Sequence, residues 1–195
     1  MARRTLIQQP GLPAARLSTE NVNAVEGTSA LRWYAARVHH GVELKVRDRL
    51  ASAGVEHFIP TERRRKTRGK GVAERPRISA LVFIRATKRE ALELAGGAGL
   101  PVRYVVDCAT RTLLVVPDKE MEDFRRVLDL SVEEGGLMDA PLSVGARVRV
   151  TKGALKGVEG YVLELQGRTY VVVGLLGSLF AKARVPRAWL EKVKG

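Results

Sequence analysis

Near residue 135 the chain changes texture, and no other feature constrains its fold as much. Before that point apolar residues recur at both strand and helix spacings. After it, short β-prone runs follow one another with glycines between them. The stretch Glu133-Glu134-Gly135-Gly136 to Pro141 has the composition of a linker. The reading is an accessory arm over residues 1–30, a first domain over 31–133, a linker over 134–142 and a second domain over 143–195. A chain of 195 residues is long enough for two small cores.

The first domain alternates strands and helices. Residues 31–38, with Trp33, Tyr34 and Val38, read as a strand. Val42, Val46 and Leu50 fall on one helical face, and Gly54 stops that helix. A short strand runs to Pro60, and residues 78–86 form an apolar strand buried on both sides. Thr87-Lys88-Arg89-Glu90 is the pattern of a capping box, and Gly96-Gly97 ends the helix it opens. Strands over 102–106 and 113–116 precede a helix that starts at Pro117. Its acids stand early and its Arg125-Arg126 late, the sense the helix dipole favours. This order predicts an α+β class, with helices packed on a mostly antiparallel sheet. In the second domain, runs at 147–151, 158–165, 170–173, 179–185 and 189–193 predict five strands in a small β-barrel.

The net charge is +13, with 34 Lys plus Arg against 21 Asp plus Glu. On a chain that is 45% hydrophobic this makes a folded protein with a basic surface, which favours a polyanionic partner. The densest charge lies at 62–77, where Arg63, Arg64, Arg65, Lys66, Arg68, Lys70, Arg75 and Arg77 face only Glu62 and Glu74. Gly69 and Gly71 make this segment a hairpin or loop between strands. No aromatic residue sits in it, so it would grip phosphates without stacking on bases. One cysteine, Cys108, and three histidines give neither a disulfide nor a zinc set. No apolar run is long enough to span a membrane, and the start lacks a signal-peptide core. No phosphate-binding glycine loop or Ser/His/Asp set stands out. The expectation is a cytoplasmic, monomeric binding protein with no enzyme activity, cofactor or metal.

The chain resembles the NusG transcription elongation factors, in which an NGN domain is joined to a KOW domain. Trp33-Tyr34, Ile59-Pro60-Thr61-Glu62 and Leu81-Val82-Phe83-Ile84 follow the NGN order. The KOW pattern is carried by Gly145-Ala146-Arg147-Val148-Arg149-Val150, Gly153-Ala154-Leu155-Lys156-Gly157, Gly160-Tyr161-Val162, Gly177 and Trp189-Leu190-Glu191-Lys192-Val193. The Trp-Tyr-Ala-x-Arg-Val start, Phe58-Ile59-Pro60 and the helix from Pro117 to Phe124 are similar to specialised UpxY-type paralogues. One departure is Ile78-Ser79-Ala80-Leu81, where NGN domains usually place Phe-Pro-Gly-Tyr.

The resemblance implies an SH3-like KOW barrel after the NGN domain. It implies a factor that docks an apolar NGN surface on RNA polymerase and suppresses pausing or termination, here on long operons such as capsular polysaccharide clusters. By motif position Trp33, Tyr34, Ile78, Leu81 and Phe83 would line that surface, although strand alternation lets only about half of them face a partner. The basic segment would lie on DNA or nascent RNA. Turns at 152–157 and 175–180, with Lys152, Lys156, Leu175, Leu176, Leu179 and Phe180, would meet a ribosomal or termination-factor partner. The alternative is a ribosome-associated or general RNA-binding KOW protein.

Overall fold

The computed structural model describes residues 30–65, 70–130, 135–138 and 145–193. The expected arm, apart from Ala30, lies outside these residues, as do Lys66, Arg68 and most of the expected linker. The elements run β1 (Arg32–Arg37), α1 (Glu43–Ser52), β2 (Glu56–Phe58), β3 (Thr61–Arg65), β4 (Val72–Pro76), β5 (Leu81–Ala86), α2 (Lys88–Ala95), β6 (Arg103–Tyr104) and β7 (Val115–Val116). They continue with α3 (Asp118–Leu128), β8 (Gly135–Met138), β9 (Arg147–Val150), β10 (Glu159–Leu165), β11 (Arg168–Leu175), β12 (Leu179–Arg184), a 3-10 turn (Arg187–Trp189) and β13 (Leu190–Lys192).

β1 is the centre of the first sheet. It pairs antiparallel with β5, from Arg32↔Ala86 to Arg37↔Leu81, and on its other edge with β6 and β7. β2 extends the sheet beyond β5. Residues point alternately to the two faces of a strand, so each strand divides its apolar side chains between two cores. Tyr34, Ala36, Val82 and Ile84 join Val46 and Leu50 of α1 and Ala91 of α2. Trp33, Ala35 and Phe83 join Met121, Phe124, Val127 and Leu128 of α3. Both faces are therefore covered, which is why Val82, Phe83 and Ile84 are consecutive and all fully buried.

The caps form as the sequence predicts. Thr87 Oγ1 accepts from the Glu90 N–H at 3.2 Å, and Glu90 Oε2 accepts from the Thr87 N–H at 2.8 Å. α3 begins after Pro117 and carries Arg125 and Arg126 in its last turn. Arg77 also reaches its C-terminal end, donating from Nη1 to the Leu128 carbonyl at 2.6 Å.

The second unit is a six-stranded antiparallel sheet in the order β13-β9-β10-β11-β12-β8. Five of its strands fall on the glycine-punctuated runs. The sixth, β8, comes from the expected linker and pairs along β12 from Gly135↔Ala183 to Met138↔Phe180. A small closed barrel is not what the described strands form: their path is open, and β8 and β13 do not pair. The face that closure would turn on itself is covered by α3, whose Met121, Phe124 and Val127 share one core with Val148, Val171, Val173 and Ala181. Two glycines permit close approaches. A Cβ on Gly160 would stand 2.3 Å from the Val172 carbonyl oxygen, and one on Gly153, at φ +76, would stand 2.4 Å from the Trp189 ring.

Candidate protein and nucleic-acid interfaces

The five apolar candidates do not share one surface. Trp33, Ile78 and Phe83 lie in one core with Leu81 against it, while Tyr34 points to the opposite face beneath α1 and α2. Trp33 is 4% exposed and Phe83 fully buried. The guanidinium of Arg125 stands 5.3 Å from the Phe58 ring and 6.0 Å from the Trp33 ring, closing the edge of the α3 side. A cleft of about 410 Å³ opens beside it, lined by Trp33, Glu56, Arg85, Asp118 and Arg125 among others. Arg85 donates to Glu56 at 3.0 Å and lies 3.5 Å from Asp118. The apolar surface is thus built as expected and is sealed by α3 in this conformation.

The basic segment forms its own two-stranded sheet, β3 with β4, separate from the five-stranded one. Alternation places Arg63 and Arg65 on one face, and Arg64 and Arg75 on the other. Arg63, Arg64, Arg65, Lys70 and Arg75 are all exposed. Among the described residues Arg63, Arg65, Lys70 and Arg75 make no ion pair, whereas Arg64 pairs with Glu62. Glu74 is turned toward α1, where Arg47 donates to it at 2.7 Å. The Thr61 hydroxyl and then Arg47 hold its carboxyl below the ordinary range. Arg77 differs from the rest: it is half-buried and bound to the end of α3, a structural position. Lys66 and Arg68 lie outside the described residues.

In the second unit Lys152 and Lys156 are exposed, but their loop is held from below. Arg126 Nη2 donates to the carbonyls of Ala154 at 2.6 Å and Lys156 at 3.0 Å. Lys119 donates to the Gly157 carbonyl at 2.9 Å. Asp123, 3% exposed, takes the Glu159 N–H at 3.0 Å and the Lys119 ammonium at 2.6 Å. Leu175 is buried in the core shared with α3, and Leu176 and Leu179 pack against it. Phe180 is half-buried on the other face, cross-strand from Gly174.

Two buried carboxylates went unmarked in the sequence. The Lys119–Asp123 spacing of i to i+4 was legible as a helix pair; the burial of Asp123 against Glu159 was not. Glu43, 1% exposed, accepts from the Ala80 N–H at 2.8 Å and so anchors the turn before β5, where Ala80 has φ 57. Burial pushes the Glu43 carboxyl up, but backbone N–H bonds from Ala80, Glu43 and Gly41 outweigh it and hold the group below its ordinary value. Among the described residues no group of His, Cys, Asp and Glu could hold a metal ion, and no helix is long and apolar enough to cross a membrane.

Residues 31–125 match the family model described as "Transcription termination factor nusG". The match runs from β1 into α3, just under half of the chain, and stops before the second sheet. No curated protein matches the chain. Among solved structures it is similar to the one titled "Domain interaction in Thermotoga maritima NusG", at 19% identity and a TM-score of 0.48, covering 86% of this chain and 100% of that one. It is also similar to "Crystal Structure of MjSpt4:Spt5 complex conformation A", at 12% identity and a TM-score of 0.27, covering 83% and 97%.

Proposed function

We propose that this chain is a NusG-like transcription elongation or antitermination factor that binds RNA polymerase through its first unit. The observation that carries the reading is the family match over 31–125. It falls on the folded unit that holds both the apolar α3-side face and the free basic hairpin. The role is binding, without catalysis or cofactor, by a cytoplasmic monomer. The second sheet reads as an SH3-like KOW module that brings a further partner, and the particular task as antitermination on long operons such as capsular polysaccharide clusters.

The geometry sets a condition on that mechanism. Contact through Trp33 or Phe83 requires α3, and the second sheet bound to it, to move off the face they seal. Tyr34 cannot take part from the same side. The hairpin needs no such movement, so Arg63, Arg65, Lys70 and Arg75 can engage phosphates in either state. Such contacts add affinity and position but little sequence readout.

Co-purification of the tagged full chain tests the assignment. Polymerase subunits should be retained. Ribosomal RNA and ribosomal proteins in their place would support the alternative of a ribosome-associated protein and overturn this one.

A further inference from the structure

The outer face of the second sheet, opposite α3, carries three aromatic side chains among cations. The register places Tyr161, Val172 and Lys182 in one row across β10, β11 and β12, and Leu163, Tyr170 and Arg184 in the next. Gly174 and Phe180 form the row on the other side. Rows along a strand repeat about every 6.6 Å, a spacing an extended single strand of nucleotides can follow. Tyr161 is 37% exposed, Tyr170 and Phe180 are half-buried, and Arg168 and Arg184 are exposed. Val172 and Leu163 are buried on this face, at 1% and 8%, yet belong to neither core shared with the helices. The aromatic side chains are therefore laid over them as a platform. Phe180 lies against Gly174, whose added Cβ would be 3.2 Å from the ring. The Lys182 ammonium stands 5.0 Å from the centre of the Tyr170 ring.

We infer that this face binds single-stranded RNA, with Tyr161, Tyr170 and Phe180 as stacking surfaces and Arg168, Lys182 and Arg184 as phosphate contacts. A stacking platform takes unpaired bases, and a duplex cannot offer them. The cation surplus on the face argues against an acid-poor protein segment as occupant. RNA is chosen over DNA because the proposed function puts this unit beside an emerging transcript; that choice rests on the transcription reading, whereas the platform itself does not. The face is distinct from the basic hairpin, which has cations and no aromatic ring.

The test is fluorescence anisotropy of the full chain with a pyrimidine-rich RNA oligonucleotide, the same sequence as single-stranded DNA, and an RNA duplex. Tyr161→Ala should weaken single-stranded RNA binding about tenfold, Tyr161→Phe should restore it, and duplex binding through the hairpin should not change. Replacing Lys182 and Arg184 by Gln should lower the salt slope by about 1.4. Circular dichroism melting of each variant separates loss of binding from loss of fold. Equal binding by wild type and Tyr161→Ala, or an equal loss on duplex and single strand, overturns the platform. Tighter binding to the DNA strand overturns the choice of RNA. None of these results depends on whether polymerase is bound.

Discussion

Replacing Asp123 by Ala should loosen the contact between α3 and the second sheet more than any other polar change there. The carboxylate is 3% exposed and holds two partners, the Glu159 N–H at 3.0 Å and Lys119 at 2.6 Å. A hydrogen bond to a charged group contributes about 1.5–3 kcal/mol, and its loss leaves the Glu159 N–H without an acceptor. The Lys119 ammonium is 56% exposed, so solvent screens that pair to about 0.2–1 kcal/mol. The expected cost is about 2–4 kcal/mol. Asp123→Asn keeps an oxygen for Glu159 and should cost about half as much; Lys119→Ala should cost under about 1 kcal/mol. Urea unfolding gives the stabilities, and amide exchange at Glu159 reports the bond directly. An Asp123→Ala variant within about 0.5 kcal/mol of wild type, with unchanged exchange at Glu159, would refute the reasoning.

Other outcomes follow from single side chains. The Tyr104 hydroxyl is buried with no hydrogen-bond partner, and burial, with a smaller part from Tyr34, pushes its pKa up to about 12. Tyr104→Phe should therefore leave stability unchanged or raise it by about 1 kcal/mol in a thermal melt; a clear loss would mean the hydroxyl has a partner. The Glu43 carboxyl titrates below its ordinary value near 4.5, so its stabilising bonds are intact above that pH and are lost as pH falls through the folded value. Glu43→Gln should lower stability at pH 7 and reduce the further loss on acidification, measured by urea midpoints at neutral and acid pH. An unchanged acid slope would contradict this. Charge reversal at Arg63 and Arg65 should weaken duplex binding and flatten its salt dependence in a mobility assay, with no change in melting temperature. An unchanged salt slope would remove the hairpin from the nucleic-acid interface.

What could be read from the residues was what side-chain pattern encodes. The α1 face of Val46 and Leu50, the Thr87–Glu90 cap and the doubly buried β5 were all legible, because each leaves a periodic or local signature. β8 was not legible. It is a strand through backbone pairing with β12, and its Gly135-Gly136 start has the composition of a linker. The open path of the second sheet was hidden for a related reason: glycine spacing marks where strands turn, not whether the first and last of them meet. At the candidate interfaces the sequence located the cationic hairpin and its exposure correctly. It did not separate Arg77, because a capping arginine and a phosphate-binding arginine look alike until the end of α3 is brought beside one of them. Nor could motif position show that Trp33 and Phe83 lie beneath α3, since that burial joins residues far apart in the chain.

The central claim is that the chain acts on transcribing RNA polymerase. Single-round transcription in vitro over a template with a defined pause and a terminator, with and without the protein, tests it most directly. The account predicts shorter pauses or more read-through in its presence, with the gain reduced when Arg63 and Arg65 are reversed in charge. Identical pause lifetimes and termination with saturating protein would contradict it.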